Sequence, residues 1–195
     1  MFEKEIKEKV NEITPQVVTW RRHFHTYPEI SGEEKETSLY IQEELKKLGI
    51  PFETGFFGTA VLGTIKGEQP GKTVALRADM DALPVTEQTG LPFASKNKGK
   101  MHACGHDGHV TIGLAAAKLI ATHKDELAGT IKLIFQPAEE GVRGAYAMVN
   151  AGVVDDVDYL FGGHIGFKAT NDNALVTMTD GFLATTKLDA EFKGV

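Results

Sequence analysis

Two apolar runs, KTVALRAD (72–79) and GTIKLIFQ (129–136), stand on either side of a small-residue-rich stretch, HVTIGLAAAKLIATHK (109–124). That alternation limits the fold more than any other feature of the chain. Runs with an apolar centre, here Val74–Leu76 and Leu133–Phe135, read as buried strands, and such strands alternating with helices belong to largely parallel sheets covered on both faces. YLFGGH (159–164) is a further short strand ending at a histidine, and Phe52–Phe57 and Ala60–Ile65 are strand-like runs separated by Gly58. Ile6, Val10, Ile13 and Val17 recur at helical spacing, predicting an amphipathic helix over 3–24 that runs into Trp20 and Phe24. Ser31 followed by Glu34 predicts a capping box for a second helix, which carries Leu39, Ile41, Leu45 and Leu48 and stops at Gly49. A helix from Glu139 to Asn150, packed through Ala145, Met148 and Val149, is expected after the second apolar run. The expected class is α/β: a mixed, largely parallel central sheet flanked by helices.

The chain of 195 residues suffices for one ordinary domain and the start of another. A net charge of −6 argues against a nucleic acid or an anionic membrane surface as partner. No apolar run is long enough to span a bilayer, and the N-terminal MFEKEIKEKVNEI is charged throughout, without the apolar centre of a signal peptide. A single cysteine excludes an internal disulfide, which fits a reducing cytoplasm. At the other end, ALVTMT and TTKLDAEFKGV read as strands with no closing helix or cap, so the chain reads as one cut inside a larger protein.

The chemistry concentrates in MHACGHDGHV (101–110), which holds the only cysteine and three of the seven histidines. Cys104 and His106 lie two apart with glycine between, so both can point to one centre. A thiolate with an imidazole suits zinc and tolerates other borderline divalent ions; the alternative for Cys104 is a small buried hydrophobe. His102 and His109 read as hydrogen-bonding, structural histidines, and Asp107 either joins the site or caps the helix that follows. Asp79 and Asp81 fall just past one strand, Glu139 and Glu140 just past another, and His164 at the end of a third. Ligand sites in α/β sheets gather beyond the carboxyl ends of strands. The adjacent glutamates repel unless a cation or proton lies between them, or a helix dipole stabilises both. One on a metal, with its neighbour free to take a proton from water, would settle that repulsion. Cys104 as a protease nucleophile is the competing chemistry, and it leaves the glutamate pair unexplained.

Five stretches in order, WRRHFHTYPEISGEE, RADMDALPV, MHACGHDGHV, IKLIFQPAEEG and GGHIG, make the chain resemble the aminoacylase-like metallopeptidases along essentially its whole length. These amidohydrolases include hippurate hydrolases, N-acetyl-diaminopimelate deacetylases and plant auxin-conjugate hydrolases. FQPAEEGVRGAYAMVNAGVVDDVDY followed by HIG looks most like the aminobenzoyl-glutamate hydrolase branch. The resemblance implies the N-terminal part of a zinc-peptidase-like, metal-dependent catalytic domain over 1–184 and the first strand of a smaller α/β lid and dimerisation domain over 185–195. It makes Cys104, His106, Glu140 and His164 ligands of a site for two divalent ions, manganese or zinc. Glu139 becomes the general base and Asp81 the carboxylate that supports the catalytic site, while Asp79 stays unassigned. The implied reaction is cleavage of the amide bond of an N-acyl or N-aroyl amino acid by metal-activated water. The implied assembly is a homodimer through the lid, or a hetero-oligomer. Two other readings stand beside it: a non-catalytic metal-binding relative, and a di-metal aminopeptidase or carboxypeptidase for small peptides.

Overall fold

The computed structural model describes residues 2–141, 143–166, 191, 193 and 194. Five strands form one mixed sheet in the order β1–β2–β4–β3–β5: β1 (Phe52–Thr54), β2 (Val61–Lys66), β3 (Gln69–Asp79), β4 (Ala128–Gln136) and β5 (Tyr159–Gly162). β3 runs parallel to both β4 and β5, and β2 is antiparallel to β4 and to β1. The expected α/β class, a mixed sheet with helices on both faces, is what the chain forms. Register fixes where its chemistry falls. Asp79 pairs with Gln136 and Arg77 with Gly162, so the three parallel strands end on one rim. Whatever follows them in sequence is delivered to that rim.

The helices are α1 (Phe2–Thr26), α2 (Lys35–Lys47), α3 (His106–Thr122) and α4 (Gly144–Asn150). Because strand side chains alternate between faces, odd positions of β2 and β4 (Val61, Ile65, Leu133, Phe135) meet one helical layer. That layer brings Trp20 and Phe24 from α1, Ile41 and Leu45 from α2, and Val110, Leu114 and Ala117 from α3. Leu62, Ala75 and Ile134 face the other way, onto Met148 of α4 and Val153. Gly113 lets α3 approach the sheet: a Cβ there would meet the Phe135 ring at 3.0 Å.

Two local expectations fail for identifiable reasons. The Ser31–Glu34 capping box does not form. Ser31 donates to Asp81 Oδ2 instead, and Glu34, fully buried, accepts from Gly32 N–H, Thr59 Oγ1 and Ala138 N–H. The first turn of α2 is capped from a distance by Glu29, which takes the Glu36 and Thr37 amides at 3.2 and 2.7 Å. The helix expected from Glu139 begins only at Gly144, because Ala138, Gly141 and Arg143 all have positive φ and break helical geometry. Gly144 is buried against the Pro137 carbonyl, where a Cβ would lie 1.9 Å from the oxygen. Of the residues expected to pack this helix, Met148 does so while Ala145 and Val149 are exposed.

The strands expected in ALVTMT and TTKLDAEFKGV, the boundary at 184/185 and the lid strand fall, apart from three isolated residues without regular structure, outside the described residues. Among the described residues no helix is long and apolar enough to cross a membrane.

Candidate metal centre

Four loops and one helix start converge past the rim. Met80–Ala82 follows β3, the turn at Pro137–Gly141 follows β4, and Gly163–Ile165 follows β5. The fourth loop, ending at Cys104, leads into α3, whose first residue is His106. Gly105 between them has φ +87, a left-handed conformation suited to glycine, and this kink turns Cys104 and His106 toward the same point.

His106 is the hub. Its ring is fully buried, and Nδ1 donates to the Asp81 carbonyl at 2.9 Å, with Asp81 Oδ1 at 3.1 Å. Nδ1 therefore carries the proton, and Nε2 presents a lone pair for which no hydrogen-bond partner is present among the described residues. Asp79 Oδ2 lies 3.7 Å from that nitrogen, and Glu139 Oε2 and Glu140 Oε1 each lie 3.9 Å away. His164 is set up in the same sense: Nδ1 donates to the Ile165 carbonyl at 2.8 Å, which leaves Nε2 to accept from the Cys104 thiol, with Sγ at 3.4 Å. Donor atoms of Cys104, His106 and His164 lie within 4.8 Å of one another, and so do those of His106, Glu139 and Glu140. A buried imidazole lone pair facing a thiol, a second imidazole and carboxylates is a donor set that fits one or two divalent cations.

Asp81 does not reach into this space. It lies behind it, 1 % exposed, where Oδ2 accepts the Ser31 hydroxyl at 2.6 Å and the Glu140 amide at 2.9 Å while Oδ1 meets His106. Burial alone would raise its pKa, but the bonds from His106, Ser31 and the Glu140 amide hold it at about 2. It is an ionised brace for one imidazole and one loop. Asp79 is held below the usual range against its burial by the bond from His109 and by Arg77. The glutamates stand in a loop, not at a helix start, so no helix dipole relieves their repulsion. Glu139 is the more open of the two, with its side chain 39 % exposed against 26 % for Glu140.

The Cys104 thiol is pushed up to about 12, first by burial and then by Glu140, Glu139 and Asp79. A thiol so placed is the opposite of an activated nucleophile, which needs a lowered pKa. A divalent cation among the same carboxylates would reverse the balance and make it a thiolate ligand. Of the other residues singled out in the sequence, His109 has both nitrogens engaged, Nδ1 with Asp79 and Nε2 with the Ile165 amide. Asp107 turns away from the centre to His25 and Arg21. His102 is buried, with neither nitrogen partnered among the described residues. The residues a sequence reading overlooked are Ser31 and Arg77; a serine before a helix reads as a cap, and an arginine inside an apolar strand carries no signal of what it faces.

The fold and this candidate donor set are those of a metallopeptidase-type α/β domain. The chain belongs to peptidase family M20/M25/M40, whose profile matches residues 75–189. It is 50 % identical over 188 residues to thermostable carboxypeptidase 1 of Saccharolobus solfataricus, covering 92 % of this chain and 48 % of that protein. With a p-aminobenzoyl-glutamate hydrolase subunit of Escherichia coli it shares 40 % over 237 residues, covering 97 % and 54 %. A solved structure described as a dinuclear metal binding peptidase of the M20 family, from Bacillus subtilis, superposes with a TM-score of 0.77 at 42 % identity, covering 79 % of this chain and 43 % of that one. The chain spans about half the length of the curated relatives it matches.

Proposed function

We propose that this chain carries most of the catalytic centre of a di-metal amidohydrolase acting on N-acyl or N-aroyl amino acids. The observation that carries the reading is the Nε2 of fully buried His106, without a hydrogen-bond partner among the described residues and facing Cys104 and His164 on one side and two glutamates on the other. Cys104, His106, Glu140 and His164 would hold the ions, manganese or zinc, and Asp81 would brace them. Bound divalent ions supply a more acidic water and a polarised carbonyl. Glu139, the more exposed carboxylate, would take the proton of the attacking water and return it to the departing amine. Glu140 is the better candidate ligand, since its amide is fixed on Asp81 and its side chain bonds Cys104.

What the named relatives share supports the substrate class. A carboxypeptidase and an aminobenzoyl-glutamate hydrolase both cleave an amide whose amine side is an amino acid with a free carboxylate. The 50 % identity to a carboxypeptidase favours a second reading, release of C-terminal residues from small peptides. An assay with added manganese or zinc across N-acyl amino acids, aminobenzoyl-glutamate and dipeptides separates the two. Turnover of the acyl and aroyl compounds above the peptides supports the amidohydrolase, the reverse ranking supports the peptidase, and no metal-dependent turnover removes both. A lid beginning at 185–195, dimerisation through it and a cytoplasmic setting, in keeping with the free thiol, belong to the same proposal.

A further inference from the structure

His109 lies one helical turn beyond Gly105, beside the centre, and its ring stands edge-on to His164 with 4.6 Å between centroids. Nδ1 sits 2.5 Å from Asp79 Oδ1, and Nε2 accepts the Ile165 amide at 2.8 Å. Asp79 is itself immobilised. It is fully buried, and its Oδ2 lies 2.5 Å from Arg77 Nη1, while Arg77 Nε donates to Gln136 Oε1 at 2.7 Å.

These contacts dictate a tautomer. An ionised carboxylate can only accept, so the ring nitrogen facing Asp79 must carry the proton, and in a neutral imidazole the other nitrogen must then be an acceptor. That acceptor takes the amide of the residue immediately after His164. The Ile165 carbonyl in turn receives the Nδ1 proton of His164. The peptide groups on both sides of Ile165 are thereby pinned, one on each histidine. Its side chain lies over the glycine-lined start of α3, where a Cβ on Gly108 would come within 2.3 Å of Ile165 Cδ1.

We infer that Arg77, Asp79 and His109 form a tautomer lock that seats His164 in the metal centre, with His109 as a positioning residue acting through the Ile165 backbone. His109 is no ligand in this arrangement, because neither nitrogen has a lone pair to spare. The inference rests on the reading of His164 as a ligand, and its test keeps the two apart.

In metal-free protein, nitrogen-15 NMR should show His109 protonated at Nδ1 and bare at Nε2, with the Ile165 amide protected from exchange. An Nε2-protonated ring in the wild type overturns the lock without any variant. Two substitutions then divide the ring's roles. His109→Gln puts a carbonyl oxygen near the place of Nε2 and keeps an acceptor for Ile165. His109→Asn puts an amide N–H near the place of Nδ1, satisfies Asp79 and leaves the Ile165 amide bare. Calorimetric titration with zinc or manganese should show His109→Asn weakened about 10–100-fold, the usual effect of losing an outer-shell partner, and His109→Gln within a few-fold of wild type. The reverse ranking, or no loss in either, overturns the lock and leaves His109 a mere partner for Asp79. His164→Ala is the control for the underlying reading: unchanged metal affinity there refutes His164 as a ligand. The lock is then judged by exchange at Ile165 alone, which must accelerate in His109→Asn and stay slow in His109→Gln.

Discussion

His25 and His106 are both buried, both sit among carboxylates, and both are found at the start of α3, His106 as its first residue and His25 against Asp107, yet they are finished differently. His25 has an acid on each nitrogen: Asp107 Oδ2 at 2.7 Å from Nδ1 and Glu87 Oε1 at 3.1 Å from Nε2. Asp107 also faces Arg21 Nε at 3.0 Å, and Glu87 takes the Ser95 amide at 2.5 Å. Every valence in that cluster is spent on tying α1, α3 and the long loop between β3 and α3 together. His106 has one nitrogen spent on Asp81 and the other left bare in front of carboxylates. Leaving a buried polar atom unpaired costs about 1–3 kcal/mol. A fold that satisfies His25 so fully and tolerates that cost at His106 is keeping a lone pair for something else. Residue types do not separate the two clusters; the valences left over do.

The sharpest way to break this contrast is Glu139→Gln. If the open cluster is catalytic and Glu139 its base, the variant keeps metal content and thermal midpoint while its metal-supplemented turnover falls by about 10²–10⁴-fold. Loss of metal without that selective loss of turnover would exchange the roles of Glu139 and Glu140.

The closed cluster should answer in the opposite currency. His25→Phe leaves Asp107 and Glu87 without their shared partner, and stranding a buried acceptor costs about 1–3 kcal/mol. Denaturant unfolding should show that loss, with metal affinity in the folded fraction unchanged. A variant as stable as wild type but poor in metal would mean the His25 cluster belongs to the centre after all.

His102 stands between the two, subject to Asp107 and His25 on one side and His106 and Asp81 on the other. Burial, the largest influence, depresses its pKa to about 4. The folded protein therefore refuses a proton that the unfolded chain accepts, at an ordinary value of about 6.5. Stability is complete above that value and falls as pH drops toward 4, by about 3 kcal/mol for a shift of this size. Asp81 and Glu87, both held at about 2, add their losses only at lower pH. Unfolding midpoints of the metal-free protein between pH 7 and 4 should show this slope, and His102→Gln should flatten it. A slope that survives the substitution belongs to another group.

How much of this was legible in the sequence depends on the range of the forces involved. β3 and β4 were legible because a buried strand keeps an apolar centre, Val74–Leu76 and Leu133–Phe135, and α1 because Ile6, Val10, Ile13 and Val17 repeat with the helix, although Val10 is exposed. Ser31 and Glu34 misled because a local S-x-x-E pattern cannot show that Asp81, Thr59 and Ala138 compete for the same side chains. The start of α4 misled because Ala138 and Arg143 adopt positive φ without being glycine. At the site, the crowding of Cys104 and His106 was legible from composition alone. The pairing of Asp79 with His109 was not, since three histidines lie within eight residues and only the strand register decides which one meets the acid.

The last test applies one change, carboxylate to amide, to the brace of each cluster. In Asp81→Asn the side chain has one acceptor oxygen where three donors converge, from Ser31, the Glu140 amide and His106 Nδ1. The new NH₂ must face a donor, so either the His106 ring or the Glu140 loop loses its anchor. Metal affinity should fall by about 10–100-fold, as for other outer-shell partners of a ligating histidine, while the fold survives because His106 keeps its bond to the Asp81 carbonyl. In Glu87→Gln the same chemistry meets the Ser95 amide, Thr89 and His25. There the thermal midpoint should drop and the metal titration curve should not move. If Asp81→Asn merely lowers the midpoint and binds metal as wild type does, Asp81 is a closed-cluster residue like Glu87, and the lone pair of His106 needs no brace.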